Sequence, residues 1–396
     1  MSSGRTQTSD GDATLASGAI AVEDGQRGVA EVTQRPSRAR TNAHWLPVCV
    51  GAMLLAGCTN SGTTGSPPSS GSAAPSAVAS SAPASLKGQI AFANDATSDH
   101  RHEQIYLERA DGSHVRQLVH SDASDVDPVL SPDGRQLVFT RHVDSKPDRI
   151  FVVNVDGSGL KQIVPSSCPD VCGDAVEGSG WSPDGRTLAF TRAVFHGHST
   201  DPTNVELWLM NADGSGARRL THQSVESVGG RPGARDDFAS WSPDGKRLVF
   251  THWEHAGVDG LDQFAVDTIK PDGAELRQVT PNDAQAGEPV WSPDGTRIAF
   301  QYPPDDEGVA KVLYTIRPDG TGLTPLTLNL DNNDSDHPSW SPDSSQIAFS
   351  HVAPGSTDAD LYVVNSDGSR PHPIAKTSLN ETAPSWGVAV PTTNAH

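Results

Sequence analysis

The chain has 396 residues, room for one large domain or two ordinary ones. Apolar residues make up 35%, low for one conventional core, while 37 Gly and 30 Pro suit many short strands joined by turns. The formal charge of -20 argues against a nucleic-acid groove, which needs a Lys/Arg face, and is compatible with cationic partners or divalent cations; four Cys are too few for a disulfide framework.

Residues 1–44 read as a disordered leader or a start placed too far upstream. Arg35, Arg38 and Arg40 precede 45–58, WLPVCVGAMLLAGC, an apolar run too short to span a bilayer that ends in small residues and a Cys. Leu55-Ala56-Gly57-Cys58 resembles the bacterial lipobox, which implies lipidation of Cys58. Residues 59–86 are largely Ser, Ala, Gly, Pro and Thr without charge and are expected to form a flexible tether.

From residue 87 to 390 one unit recurs. Its copies are LSPDGRQLVFTR from Leu130, WSPDGRTLAFTR from Trp181, WSPDGKRLVFTH from Trp241, WSPDGTRIAFQY from Trp291 and WSPDSSQIAFSH from Trp340, with a degenerate PSWG ending at Gly387. A period near 50 points to a propeller or solenoid. Ser-Pro-Asp-Gly is a tight turn, because Pro presets one φ, Asp bonds its own backbone and Gly takes the left-handed position. The LVF, LAF or IAF run is a buried strand, and IYLERADG, IFVVNVDG, LWLMNADG, LYTIRPDG and LYVVNSDG form a third strand ending in Asp-Gly. With a short fourth strand, each unit makes one four-stranded antiparallel blade.

The first hairpin set, 89–119, lacks an SPDG, and the last first-strand, 384–390, lacks a hairpin. The expectation is therefore an all-β, six-bladed propeller closed by pairing of the N- and C-terminal strands, with a disordered tail at 391–396. The repeat resembles the WD-like repeat of TolB-type propellers. That resemblance implies the fold; the same repeat occurs in envelope scaffolds, sugar lyases and the N-terminal halves of prolyl peptidases.

Two positions carry the candidate partner face. Two residues beyond the Phe of each second strand lie Asn94, Arg141, Arg192, His252, Tyr302 and His351, placed as an outer polar ring. The segments entering the first strands supply Asp127, Glu177, Asp237, Glu288, Asp336 and Glu381, with His337, placed as an inner acidic ring near the channel. A repeat also reuses such residues for caps and ion pairs, and that bland reading stands beside the functional one.

Other ligand-type groups rank lower. His252-Trp253-Glu254-His255 and His196-Gly197-His198 lack the helical spacing that converges on zinc, and residues 331–336, DNNDSD, lack the Gly and terminal Glu of a calcium loop. No cofactor is therefore implied, calcium being the one metal the acids could take. Cys168 and Cys172 read as a small loop disulfide. No Gly-x-Ser-x-Gly elbow occurs. The expected function is a lipid-anchored, monomeric cell-envelope module on the periplasmic or extracellular side, binding an envelope protein, peptide or glycan. The alternative is a metal-assisted carbohydrate-active enzyme, a lyase or glycosidase on the channel face.

Overall fold

The computed structural model describes residues 87–389 apart from 96–101, 144–145, 164–171, 179, 195–203, 223–233, 257–260, 283, 304–310, 329, 331–334 and 375–379. The leader, the lipobox with Cys58, the tether and the 391–396 tail lie outside these residues. Every regular element among those described is a β-strand.

The strands form four four-stranded sheets and one of eight. The first sheet joins the two ends of the described chain: Asn380–Gly387 lies against Gln89–Asp95, with Gln89 opposite Gly387 and Asp95 opposite Asn380. The next spans 124–163. The eight-stranded sheet spans 172–278 and consists of two antiparallel sets joined by one parallel pair, Val205 with Arg235. Sheets at 287–325 and 335–373 follow.

Each SPDG turn closes the same way. Ser131 N donates to Gln136 O and Gly134 N to Ser131 O, both at 2.8 Å, while Ser131 Oγ donates to Asp133 Oδ1 at 2.7 Å. The copies at 182, 242 and 292 repeat this network, with Gly at φ 69°, 68° and 72°. Only Gly takes that region without strain. In the 341 copy Ser344 occupies it, at φ 60°.

Behind the turns, Phe92, Phe139, Phe190, Phe250, Phe300 and Phe349 are at most 1% exposed and fill the space between neighbouring sheets. The repeated Trp stitches sheet to sheet: Trp181 Nε1 donates to Val129 O at 3.3 Å and Trp340 Nε1 to Val290 O at 3.2 Å. Where a serine precedes the Trp, as at 241, 340 and 386, it adds a second stitch: Leu130 N donates to Ser385 Oγ, Trp291 N to Ser240 Oγ and Trp386 N to Ser339 Oγ, at 3.0, 3.2 and 2.9 Å. First strands thus line up side by side, which fixes where their entry residues point.

Candidate functional site

Three residues before each Trp, or before Leu130 in the first copy, the first strand bulges. Its pairing register shifts between Val126 and Val129, Asp237 and Ser240, Gly287 and Val290, and Asp336 and Ser339. The bulged residue is left-handed each time: Asp127 and Phe238 at φ 51°, Gly178 at 76°, Glu288 at 53°, His337 at 51° and Ala383 at 49°. That conformation costs a residue with a Cβ about 1–2 kcal/mol, and a bulge re-aims the side chain. All six line one narrow cavity of about 40 Å³, together with Pro128, Pro289, Pro338 and Pro384.

This geometry revises the inner ring. Asp127, Glu288 and His337 occupy equivalent positions, and the other three are Gly178, Phe238 and Ala383. Glu177, Asp237 and Asp336 each precede a bulged residue, so they sit beside the ring. Glu381 is fully buried and opposes Asn94 across the chain-end sheet, away from the cavity. Counting back from Trp would have found the set. Matching acids by type instead shifted the register by one residue in three copies and by two at Glu381.

The mouth is electrostatically crowded, with five carboxylates facing Arg235 and His337. His337 N donates to Glu288 Oε2 at 2.7 Å, and its Nδ1 lies 3.0 Å from Asp336 Oδ1. Burial pulls the imidazole down, but Glu288, Asp336 and Asp127 outweigh it and push His337 up to about 10. Burial drives Asp127 up to about 6 against the pull of His337. Glu177 and Asp237 also rise, through burial first; Asp237 adds its repulsion at Glu177, and the paired Arg235 restrains Asp237. The cluster is short of positive charge.

The outer ring has a different role. Each member faces, across its sheet, the residue five before the Trp or, in the second copy, seven. Arg141 Nε and Nη2 hold Asp125 at 2.5 and 2.8 Å, and its guanidinium lies 4.3 Å from the Phe151 centroid. Arg192 Nε holds Asp174 Oδ1 at 2.6 Å, 4.3 Å from Trp208. His351 Nδ1 is 3.1 Å from Ser335 Oγ and edges onto Tyr362 at 4.9 Å; Tyr302 edges onto Tyr314 at 5.2 Å. Asn94, Arg192 and His351 are at most 3% exposed. Arg141, Arg192 and His351 are struts inside their sheets, each packed on the third-strand aromatic and reaching a first-strand side chain.

In the 234–278 set the aromatic is replaced by Asp267. His252 is accordingly gripped by carboxylates, Nδ1 2.7 Å from Asp236 Oδ1 and Nε2 3.2 Å from Glu254 Oε1. Burial opposes its charge, yet these acids push it up to about 9. Among the described residues no group of three or more His, Cys, Asp or Glu is arranged to hold a metal ion. His196, His198, the His255 side chain, residues 331–334 and Cys168 lie outside the described residues. Cys172 is buried and disulfide-bonded.

Next to the channel a cleft of about 470 Å³ opens, lined by Arg235, Asp237, Phe238, Trp253, Phe264, Glu288, Gln301 and Lys311 among others. Sequence reasoning passed over its aromatics, since Trp253 sat unremarked between two histidines.

The TolB beta propeller domain profile matches residues 174–390. Among curated proteins the chain is similar to the uncharacterized peptidase YuxL of Bacillus subtilis (strain 168), 27% identical over 150 residues, 30% of this chain and 20% of that protein. It is also similar to the Tol-Pal system protein TolB of Anaeromyxobacter dehalogenans (strain 2CP-C), 28% identical over 125 residues, 32% of this chain and 25% of that protein. The chain thus spans a quarter or less of these relatives. Among solved structures, TolB from Acinetobacter baumannii superposes with a TM-score of 0.58 at 17% identity, covering 76% of this chain and 66% of that one.

Proposed function

The chain belongs to the TolB beta propeller family, and from that premise we propose that it is an exported, lipid-anchored, six-bladed propeller that binds an envelope partner at its acidic channel mouth. The observation that carries the reading is the ring of six left-handed bulges converging on one cavity, with carboxylates in excess of cations. Backbone strain repeated at one place is a mark of functional surfaces, and the charge imbalance suits a partner segment bearing Lys or Arg. Six blades are supported by six equivalent buried Phe, by the pairing of the first and last described strands and by the serine stitches on either side of that joint. Pairing of the first and last described strands covers a sheet edge that would otherwise invite another copy, which supports a monomer.

Lipidation at Cys58 followed by an uncharged tether would hold this ring close to a membrane on the periplasmic or extracellular side. One acyl chain anchors weakly, so the reading expects more than one. Cys58→Ser should move the protein from the membrane to the soluble fraction. In-cell crosslinking and affinity capture test the mouth by comparing wild type with Asp127→Asn/Glu177→Gln. The expected result is a partner held by wild type and lost from the folded double variant. Retention of the same partner by that variant would remove the mouth as its docking site.

A further inference from the structure

We propose that the cleft beside the channel, which adjoins the mouth and shares Phe238 and Glu288 with it, is a binding site for neutral pyranose units of a glycan. Its volume of about 470 Å³ falls within the range of about 300–1,000 Å³ typical of small-molecule sites. One wall is aromatic. Trp253 and Phe264 are directly opposite on adjacent strands, so they share a face, and their ring centroids lie 6.3 Å apart. The C–H face of a sugar ring is the polar ligand surface that packs on such a wall, leaving its hydroxyls at the edges.

The polar lining selects against charge. Arg235 and Lys311 stand with Asp237 and Glu288, a balanced set on a protein of net charge -20. A cationic guest meets the first pair and an anionic guest the second. Hydroxyls satisfy both, donating to carboxylates and accepting from the guanidinium and ammonium groups. The floor adds an independent sign. Gln301 is 3% exposed, and its Oε1 has no hydrogen-bond partner. It faces Gly287, where even a Cβ would already touch Thr251 and Gln301, so the absence of a side chain brings the cleft down to the amide. A buried acceptor left unpaired is unfavourable, and a ligand hydroxyl would relieve it after a side-chain rotation.

Isothermal titration of the purified protein with maltotetraose, cellotetraose and chitotetraose, read in parallel by tryptophan fluorescence, tests the assignment; tetragalacturonate and tetralysine serve as charged comparators. Saturable binding of at least one neutral tetrasaccharide is expected, weakened about tenfold or more by Trp253→Ala and retained by Trp253→Phe. Gln301→Met should weaken it as well, with thermal melting showing that each variant is folded. Retention on amylose, cellulose or chitin beads identifies a polymer as the source rather than a free oligosaccharide. The proposal is overturned if no neutral sugar saturates, if Trp253→Ala binds like wild type, or if a charged probe is preferred. Asp127→Asn alone, at a side chain that lines the mouth and not the cleft, should weaken partner capture and leave sugar binding unchanged. Loss of partner capture and loss of sugar binding therefore report on separate sites.

Discussion

Replacing Arg192 with Ala separates a strut from a recognition residue. In the native sheet its guanidinium is sandwiched, with Nε 2.6 Å from Asp174 Oδ1 and the charged carbon 4.3 Å from the Trp208 centroid. The two side chains are 3% and 1% exposed. Removing Arg192 leaves a buried carboxylate whose titration burial already pushes upward and which only Arg192 and Arg149 pull down. Breaking such a pair from one side costs about 3–5 kcal/mol, with the cation–π contact inside that figure. At a urea slope of about 3 kcal/mol/M the midpoint should fall by roughly 1 M or more. Removing both charges together, as Arg192→Leu/Asp174→Leu, should cost clearly less than Arg192→Ala, because no buried charge is stranded. Urea unfolding followed by tryptophan fluorescence measures all three proteins. A loss below about 0.5 kcal/mol for Arg192→Ala, the size of an ordinary surface change, would refute the strut and return this position to the partner surface.

Glu108 gives a pH test: burial first, then Glu381 and Asp111, push it up to about 8. The native state keeps a proton that the unfolded chain releases near pH 4.5, so its contribution to stability falls as pH rises between about 4.5 and 8. Glu108→Gln should abolish that fall, a gain on the order of 2 kcal/mol at pH 8 and little at pH 4, read from urea midpoints at both. His337 is raised instead, so its stabilisation is fully present below pH 6.5 and lost as pH climbs toward about 10. Imidazole proton shifts should stay in the protonated position to at least pH 8.5, and Glu288→Gln should bring the titration down. In the turns, Gly185→Ala meets nothing within 4 Å yet holds φ 69°, so it should cost about 1–2 kcal/mol from backbone strain alone. Gly134→Ala adds a clash with Val388 O and should cost more by the same urea assay; equal costs would remove the clash from the account.

The fold was legible because each unit writes its geometry locally. Ser-Pro-Asp-Gly specifies its turn through side-chain bonds spanning two to five residues, and the Phe that follows can only be core. Pairing of the chain ends was readable from an unmatched hairpin set at one end and an unmatched strand at the other. The site was harder, because its residues are defined by a bulge and not by a residue type. Aligning acids placed Glu381 beside the channel, whereas the pairing of Asn380–Gly387 with Gln89–Asp95 buries it against Asn94. Nor does composition show that Arg141 and Arg192 lie on third-strand aromatics. The register that puts Phe151 and Trp208 opposite the second-strand Phe follows from hairpin length, which varies between copies.

Position and chemistry therefore separate in this molecule. The bulge three residues before the Trp, or before Leu130, sets six equivalent points around one cavity, and the backbone strain recurs at every point that carries a side chain. Asp127, Phe238, Glu288 and His337 all line the same cavity, where the repeat fixes the backbone but not the residue type. The struts behave oppositely: Arg141, Arg192, His252 and His351 differ in type, yet each is tied to its own first strand and enclosed by its sheet. Variation at a strut is constrained by the partner beneath it, whereas the bulge has accommodated Asp, Gly, Phe, Glu, His and Ala on one backbone shape. The departures from sixfold symmetry that matter for recognition are therefore those at the bulge and in the adjoining Trp253 cleft, where the scaffold holds a backbone shape and leaves the side chain free.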